Sequence, residues 1–372
     1  MFISSAWAHG SGVGAATDGF GPLIFIPAII AFVLFIVFVN NKKGWSVLVT
    51  GGAGYIGSAL VLKLLERGHR VTVLDLYLYG DEALESVRAY QDLREIKGDI
   101  RDSGVVEEAL RGCDAVIHLA CVSDEASYDI DPERSRSINS DAFQPLVRTA
   151  KKAGIKRFIA ASSYCVYGAV SESLLTEDVA PKPPTALAID KRHCEQVLEA
   201  ERAPGFVVCT IRAAQVCGRA PRQRLDLTTN LLVNQAVNHG RLQVLGGNQI
   251  CPGIHIDDLV SLYVFLLGQP DTRINGQIYN AGSGNPTLLE LANLVNNAVG
   301  GDCMIDVESA ETMPSSRLSF DRMRNELGFQ PKHTIEEAVR DLAAAIRNGE
   351  LPNSIDGSKY ENHAMLEKVE LE

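Results

Sequence analysis

Hydrophobic positions divide the chain into one long apolar run and a longer stretch of short, alternating segments. Residues 20–39 are twenty consecutive residues without a charge. At about 1.5 Å rise per residue, a helix of this length crosses a hydrocarbon core of about 30 Å. The run therefore predicts a single transmembrane helix rather than a buried core helix.

The charges beside this run predict its orientation. Lys42 and Lys43 follow the apolar residues, whereas only Asp18 and the amino terminus precede them. A secretory signal would carry its positive charges first, and the positive-inside rule places the two lysines in the cytoplasm. We therefore expect residues 1–19 outside the cell (inner) membrane, with the juxtamembrane segment 40–45 and the large domain on the cytoplasmic side.

From residue 46 onward, strand-like and helix-like patterns alternate. A short apolar strand at 46–50 precedes a stretch of helical period that ends at Gly68. Further strands are expected at 70–74, 114–119 and 157–161, with a helix over 139–153. This alternation predicts an α/β fold, a doubly wound parallel sheet of Rossmann type with helices on both faces.

The second half of the chain has fewer strands. Helices are expected at 227–239, 257–267, 288–299 and 335–347, with a strand at 277–280 among them. We predict a Rossmann domain over 46–225, a smaller mixed α/β lobe over 226–350 that is interleaved with the sheet, and an acidic tail over 351–372. The tail is polar and is expected to be a flexible arm, or to order on a partner.

Composition and charge argue against some functions. The formal net charge of −11 argues against a nucleic-acid partner, because phosphate backbones are bound by basic patches. The eight cysteines show no C-x-x-C or other metal-ligand spacing. We therefore predict no metal site, and expect buried free thiols in a reducing compartment.

A glycine-rich turn between the first strand and its helix carries the strongest chemical signal. One of the first two glycines permits a tight turn, the third lets the backbone approach a pyrophosphate, and the fourth lets helix and strand pack closely. The helix that follows offers free N–H groups to the phosphates. The residues of this turn are Gly51, Gly52, Gly54, Tyr55, Ile56 and Gly57.

The acid at the end of the second strand predicts which dinucleotide binds. Asp75 would accept hydrogen bonds from the adenosine ribose and repel a 2′-phosphate. Strand, glycines, helix and acid follow one another at the spacing of a dinucleotide-binding unit. The sequence therefore predicts NAD(H) as cofactor; the alternative is a fold of this type with an empty or eroded pocket.

Motifs along the whole domain resemble the extended short-chain dehydrogenase/reductase family, in its nucleotide-sugar epimerase and dehydratase branch. They are TGGAGYIG at 50–57, Gly98-Asp99-Ile100, HLA at 118–120, SSYCVYG at 162–168 and IHIDD at 254–258, and the resemblance runs from about 46 to about 347. It implies that Asp99 and Ile100 hold the adenine and that Ala120 borders the cofactor. It also implies that a sugar hydroxyl is oxidised onto NAD⁺ and that the hydride is later returned.

The family's catalytic Tyr-x-x-x-Lys pair is incomplete. In the family both side chains lie on one helix face, and the ammonium lowers the phenol pKa from about 10 so that the tyrosine acts as a base. Here Leu187 stands in the tyrosine's place, although Lys191 follows it. Ser163 matches the family's assisting hydroxyl, and Tyr164 or Tyr167 is the remaining stand-in. Losing a general base lowers a rate by about 10²–10⁴, so an impaired enzyme, a pseudoenzyme with vestigial Ser163 and Lys191, is expected.

Lys191 has two interpretations. In relatives this lysine also hydrogen-bonds the nicotinamide ribose, so it would persist for cofactor binding. Otherwise it is an exposed helix lysine. Tyr164 and Cys165 stand where dehydratases carry an acid pair, so the acids for dehydration are missing too.

The substrate cleft also departs from the family. Cys251 falls where many relatives place an arginine that contacts the substrate's diphosphate, while Arg317 matches another such arginine. A cleft with one arginine fewer holds a diphosphate less well. The basic loop that contains Arg219, Arg222 and Arg224 lies near the cleft, or is a solvated or partner-facing cluster.

Two functions of different classes follow. The missing phenol and the membrane span favour an accessory or structural subunit of an energy-converting membrane complex, photosynthetic or respiratory. Its partners would be integral-membrane subunits that contact the transmembrane helix and the cytoplasmic domain. The intact cofactor motif favours the alternative, an active NAD-dependent nucleotide-sugar epimerase or reductase tethered to the membrane. An NAD(H)-sensing regulator is a third possibility.

Overall fold

The computed structural model describes residues 44–168, 174–310 and 315–369. The predicted transmembrane run, 20–39, lies outside these residues. Within them, no helix combines the length and the apolar character needed to cross a membrane.

The five predicted strands are all present among the described residues, together with eight strands that the sequence did not predict. Their bounds are β1 Ser46–Thr50, β2 Arg70–Asp75, β3 Leu93–Lys97, β4 Ala115–His118, β5 Arg157–Ser163, β6 Leu174–Leu175, β7 Val207–Ala213, β8 Gln215–Cys217, β9 Arg241–Leu245, β10 Gly253–His255, β11 Gln277–Ala281, β12 Met304–Glu308 and β13 Arg317–Leu318. Seven of them form a parallel sheet in the order β11-β7-β5-β4-β1-β2-β3, which confirms the Rossmann-type prediction. Strand order reverses between β1 and β4, and ligands of such sheets bind at the carboxyl ends of the strands beside this point.

Helices cover both faces of the sheet and build the smaller lobe. Their bounds are α1 Tyr55–Glu66, α2 Ser103–Leu110, α3 Glu125–Ile130, α4 Pro132–Arg136, α5 Phe143–Lys152, α6 Ala186–Ala200, α7 Thr228–His239, α8 Ile256–Leu267, α9 Asp271–Ile274, α10 Leu288–Val299, α11 Ile335–Arg347 and α12 Asn362–Leu366. Single turns of 3₁₀-helix lie at Glu82–Val87, Tyr164–Tyr167 and Ser358–Tyr360, and π-turns at Ser137–Asp141 and Arg322–Glu326.

Local sequence explains where the long helices of the smaller lobe begin. Thr287 caps α10 and Thr334 caps α11, each by accepting from the backbone N–H three residues on. Glu290 and Glu337 return the contact to the cap residues' own N–H groups, completing two capping boxes. These reciprocal bonds satisfy N–H groups that the first helical turn leaves without a partner.

The sheet is buried on both faces, so its central strands are continuous apolar runs. Alternate residues of β1 enter different apolar clusters: Val47 and Val49 pack with α1 and α8, whereas Leu48 packs with α2, α5 and α6. A third cluster, between α7, α10 and α11, forms the core of the smaller lobe. Strand β11, from this later part of the chain, pairs with β7 and so belongs to the main sheet.

The helix predicted over 139–153 is split in the structure. A π-turn at Ser137–Asp141 precedes α5, which starts at Phe143. Pro145 lacks the N–H that would bond to residue 141 in a continuous helix, so the wider turn is a local solution. It turns Asn139 inward, where the side chain accepts from Val122 N at 2.8 Å and donates to Val122 O at 2.9 Å.

The described part of the C-terminal tail, residues 351–369, is folded, whereas its composition predicted a flexible arm or one that orders on a partner. Residues 351–369 fold back on the domain, and Tyr360 and Leu366 are 6% and 3% exposed. Tyr360 joins the core of the smaller lobe, while Leu366 joins an apolar cluster beside the sheet. The many acidic residues suggested a flexible segment, but Tyr360 and Leu366 are buried. Their burial offsets the conformational entropy that the tail loses on folding.

Candidate functional site

The glycine turn after β1 is built as a cradle. Gly51 has φ +73°, and a Cβ there would lie 2.7 Å from Ala120 N, so Gly51 rather than Gly52 makes the left-handed turn. A Cβ on Gly57 would lie 2.0 Å from Gly51 O, which explains the close approach of turn and helix. Gly54 precedes α1 without a side-chain cap, and the first N–H groups of α1 therefore remain available for an anion.

Asp75 lies at the carboxyl end of β2, facing this turn. Its carboxylate accepts from Ala53 N at 2.9 Å and from Tyr77 N at 2.8 Å. Burial raises the pKa of Asp75, against the backbone N–H groups of Tyr77 and Ala53 that favour its charged form. These two backbone hydrogen bonds fix the Asp75 carboxylate beside the glycine turn. A carboxylate held there is placed to accept hydrogen bonds from a ribose.

Three further residues predicted for the cofactor lie in different surroundings. Ala120 is adjacent to Gly51, and Ile100 is 7% exposed among apolar side chains. The Asp99 carboxylate is occupied by Arg101, which donates from Nη2 at 2.6 Å and from its backbone N at 2.8 Å. If this segment contacts an adenine, the contacting groups are therefore the backbone of residues 99 and 100 and the side chain of Ile100, not the Asp99 carboxylate.

The side chain of Tyr55 serves the packing of the two lobes. Its hydroxyl donates to Gly218 O at 2.8 Å and accepts from Asn230 Nδ2 at 3.1 Å. Of the groups of Tyr55, only the backbone N–H lies where the glycine motif predicts a contact with the cofactor, at the first position of α1.

Helix α6 presents Leu187 and Lys191 one turn apart. Thr185 caps the helix by accepting from Ala188 N at 3.2 Å, so Leu187 falls in the first turn. Its side chain is 6% exposed and joins the apolar cluster beside the sheet. The structure therefore places a buried hydrocarbon side chain at position 187, one turn before Lys191.

Lys191 points inward and is not the exposed helix lysine of the simpler interpretation. Its ammonium donates to Ala161 O at 3.4 Å and lies near Cys121, Cys194 and Cys165. Burial disfavours the charge, but interactions with these cysteine sulfurs, Cys121 foremost, raise the pKa of Lys191.

Ser163 ends β5, two residues beyond the carbonyl that Lys191 contacts. Its hydroxyl accepts from Cys165 N at 3.3 Å. Ser163 and the carbonyl that Lys191 contacts therefore both lie at the carboxyl end of β5, near the switch point of the sheet.

Tyr164 and Tyr167, the possible substitutes for the missing general base, have hydroxyls that are hydrogen-bonded to other residues. Tyr167 is 0% exposed; its hydroxyl donates to Asn280 Oδ1 at 2.8 Å and accepts from Arg212 Nη1 at 2.8 Å. The Tyr164 hydroxyl accepts from Gln215 Nε2 at 3.1 Å. Burial raises the pKa of both phenols, so neither is prepared to act as a base near neutrality.

Behind the site lies a buried ion pair that the sequence analysis missed. Glu195, one turn after Lys191 on α6, accepts from Arg212 at 2.7 and 2.8 Å and from Ser162 Oγ at 2.6 Å. Both charged side chains are 1% exposed. Burial works against the charge on Glu195, but the Arg212 guanidinium outweighs it and holds the pKa below its usual value. An arginine inside the apolar strand VVCTIRA was the signal that could have predicted this pair.

The two residues predicted to line the substrate cleft, Cys251 and Arg317, differ in their exposure to solvent. Cys251 is 7% exposed, its thiol donates to Gln249 O at 3.7 Å, and burial raises its pKa to about 11. Arg317 is exposed on β13, and Ser315 beside it accepts from Ile250 N at 3.0 Å. The two segments are therefore neighbours, but only Arg317 offers a charge to a diphosphate.

The basic loop is not a solvated cluster, which corrects that interpretation. Arg219 is exposed and pairs with Glu350, but Arg222 and Arg224 are each 6% exposed. Arg224 forms a salt bridge with Asp226 at 2.6 Å and reaches Asp124 at 3.2 Å. These two arginines hold the loops around the cleft together.

The cysteines are consistent with free thiols. All eight lie within the described residues, and none is in a disulfide bond. Among those residues no group of His, Cys, Asp or Glu is arranged to hold a metal ion.

The amino-acid sequence is similar to those of known NAD-dependent enzymes. The sequence profile of the NAD dependent epimerase/dehydratase family matches residues 47–282. UDP-glucose 4-epimerase 3 of Oryza sativa subsp. japonica is 31% identical over 81% of this chain and 90% of its own length. The low-salt glycan biosynthesis protein Agl12 of Haloferax volcanii is 28% identical over 79% of this chain and 96% of its own.

A solved structure supports the fold and the family's cofactor. DesIV, a dTDP-glucose 4,6-dehydratase from Streptomyces venezuelae crystallised with NAD bound, is 27% identical, with a TM-score of 0.73. The match covers 82% of this chain and 98% of that one. Sheet topology, glycine cradle and these similarities together place the chain in the NAD dependent epimerase/dehydratase family.

Proposed function

We propose that this chain is an NAD(H)-dependent oxidoreductase of nucleotide sugars, of the epimerase type, whose turnover is slowed by the loss of its general base. The observation that carries the proposal is the joint placement of the glycine cradle, Asp75, Ser163 and Lys191 at the carboxyl ends of the sheet. The relatives support it, since the rice protein is named a UDP-glucose 4-epimerase.

The residues present fit a nicotinamide dinucleotide. The uncapped start of α1 and the glycine cradle would hold its pyrophosphate, Asp75 the adenosine ribose, and Lys191 the nicotinamide ribose. When bound, the dinucleotide supplies a carbon that accepts a hydride from the sugar and returns it.

The chain's own groups assist the oxygen that loses its proton. The Lys191 ammonium is held at Ala161 O, two residues before Ser163, and would stabilise negative charge that develops on a sugar oxygen bound there. The Ser163 hydroxyl hydrogen-bonds the same oxygen, and the proton leaves through it to water because Leu187 cannot take it. A rate about 10²–10⁴ below that of a complete site is the expected consequence.

The test is turnover by the full-length protein in mild detergent. The protein is first titrated with NADH by fluorescence and then incubated with NAD⁺ and UDP- or GDP-sugars, with epimers separated by chromatography. We expect NADH binding and slow interconversion of at least one sugar, lost in a Lys191→Met variant. Binding of NADH without turnover of any sugar would contradict the catalytic proposal.

A second candidate function is favoured by one observation, the buried leucine at position 187. In this proposal the chain is a non-catalytic subunit, anchored by residues 20–39 with its domain on the cytoplasmic face of a membrane complex. Membranes solubilised in mild detergent are separated by size, and the partners of the chain are identified. Co-migration with a stoichiometric set of membrane proteins, together with absence of turnover, is expected here; migration of the chain alone would contradict it.

A further inference from the structure

The C-terminal segment, residues 351–369, is folded against the rest of the domain. It makes specific contacts with both lobes, on loops that border the proposed cofactor site.

On the Rossmann side, the segment packs against the loop that follows Ala120. Asn362 Nδ2 donates to Ser123 Oγ at 3.4 Å and to Asp124 Oδ2 at 3.5 Å. Leu366 is 3% exposed and shares an apolar cluster with Val122 and Tyr79. Ser123 and Asp124 follow β4, and Tyr79 follows Asp75. The segment therefore contacts the loop after β4 and shares an apolar cluster with the loop after β2.

On the side of the smaller lobe, the segment is held by backbone and core contacts. Leu225 N donates to Tyr360 O at 3.0 Å, and Asn362 N donates to Asp226 Oδ2 at 3.3 Å. The Tyr360 ring is buried in the core of that lobe. The segment therefore spans from one lobe to the other.

Arg222 links the segment to the helix of the glycine cradle. Its backbone N donates to Ser58 Oγ on α1 at 3.1 Å, and its guanidinium lies 4.8 Å from the centre of the Tyr79 ring. Nη2 donates to Asn362 Oδ1 at 3.3 Å, while Nε has no hydrogen-bond partner among the described residues. Burial lowers the pKa of this guanidinium. A buried cation without a carboxylate partner in the described structure depends on the segment for part of its solvation.

We propose that residues 351–369 are a working part of the cofactor site: a clasp that ties the loops around the dinucleotide together and slows the exchange of NAD(H). This inference rests on the proposed function, because it requires the cofactor to bind. When the clasp is in contact with both lobes, it restricts the movement of the loop at Tyr79 and of the loop at Ser123 and Asp124. Release of the dinucleotide then requires the clasp contacts to open, and weakening them speeds release.

The experiment measures the release of NADH from the full-length protein in detergent. NADH-loaded protein is mixed with excess NAD⁺, and the decay of bound-NADH fluorescence gives the dissociation rate. In Leu366→Ala and Asn362→Ala we expect release several-fold to about tenfold faster. In the matched control Ile355→Ala, at a 67% exposed position of the same segment, the rate stays unchanged.

A second measurement uses the unmodified protein and does not depend on the folding of any variant. Hydrogen–deuterium exchange of residues 358–366 is followed with and without NADH. We expect slower exchange when NADH is bound. Equal exchange in both states, or equal release rates in folded Leu366→Ala and unmodified protein, would overturn the clasp. Failure of the unmodified protein to bind NADH would instead overturn the proposed function.

Discussion

At the scale of single residues, the proposed loss of the general base rests on position 187. The side chain lies one turn before Lys191 on α6 and is 6% exposed, so a side chain here shares the helix face of the lysine. A leucine offers packing but no exchangeable hydrogen, whereas a phenol beside an ammonium ionises more readily than a free one. Catalytic rate is therefore expected to respond to this one position more than to any other change in the site.

The first prediction is a gain of activity in Leu187→Tyr. Restoring a general base should raise the rate of sugar interconversion by about 10²–10⁴, measured under saturating NAD⁺. Leu187→Phe is the matched control, because it adds the ring without the hydroxyl and should not raise the rate. Equal rates in the tyrosine and phenylalanine variants would show that the phenol is not what the site lacks.

The second prediction concerns His118, whose ring is buried beside the site. Its Nδ1 lies 2.8 Å from Thr50 Oγ1, and burial, together with the nearby Lys191 charge, lowers its pKa from 6.5 to about 3. The unfolded chain therefore takes up a proton near pH 6.5 that the folded chain refuses until about pH 3. Stability should fall as the pH drops through this window, by up to about 1.4 kcal/mol per pH unit from this group.

A substitution isolates this effect. Urea unfolding across the acid range should show a shallower loss of stability in His118→Asn than in the unmodified protein, even if the variant is less stable at neutral pH. His193→Asn, at an exposed position, is the control, because it removes a histidine without changing a buried site. An unchanged slope in His118→Asn would mean that the ring is protonated in the folded protein as readily as in the unfolded one.

At the scale of elements, helix α6 joins the chemistry of the site to its support. Leu187, Lys191 and Glu195 follow at intervals of four and lie along one face. The last of them fixes the helix to β5 through Ser162 and to β7 through Arg212. The position of Lys191 relative to Ser163 therefore depends on an ion pair that contacts neither cofactor nor substrate.

The third prediction is that breaking this pair costs stability and cofactor affinity together. Glu195→Gln leaves Arg212 as a buried, uncompensated charge, which should lower the free energy of unfolding by about 3 kcal/mol or more and weaken NADH binding. Arg192→Gln removes the partly exposed partner of the same carboxylate and should cost less than about 1 kcal/mol. Urea unfolding and NADH titration measure both effects. A Glu195→Gln protein as stable as Arg192→Gln would contradict the role assigned to the pair.

Elements with a strong local pattern were predictable from the sequence. Strands β1 and β2 and helices α10 and α11 fall within one residue of their predicted bounds, because apolar periodicity and end signals act locally. The glycine cradle and Asp75 were predictable for the same reason. The Glu195–Arg212 pair was not, since its partners are 17 residues apart in sequence and meet only when α6 packs on the sheet.

The errors have physical causes as well. The tail at 351–369 looked flexible because its charges dominate its composition, yet Tyr360 and Leu366 bury against two separate cores. Arg222 and Arg224 looked solvated because arginine usually is. Tertiary contacts decided both cases, and no local pattern reports such contacts.

At the scale of the whole molecule, two lobes must keep their relative position for the cleft between them to bind anything. The clasp is one tie, and the Tyr55 side chain is another. Tyr55 belongs to the helix of the glycine cradle, but its hydroxyl bonds to Gly218 O and to Asn230 of α7. A residue read from the sequence as part of the cofactor motif therefore also holds the smaller lobe against the cradle.

The last prediction tests this tie with the loss of a single oxygen. Tyr55→Phe keeps the ring but leaves Gly218 O and Asn230 Nδ2 without that hydroxyl, which should cost about 1–3 kcal/mol in unfolding free energy. Because the Asn230 contact crosses between the lobes, the affinity for a nucleotide sugar should fall more than the affinity for NADH, whose predicted contacts lie mainly on the Rossmann domain. Tyr90→Phe, at a position 40% exposed, is the control and should change neither affinity. Equal losses of both affinities in Tyr55→Phe would mean that the hydroxyl stabilises the cradle itself rather than the position of the lobes.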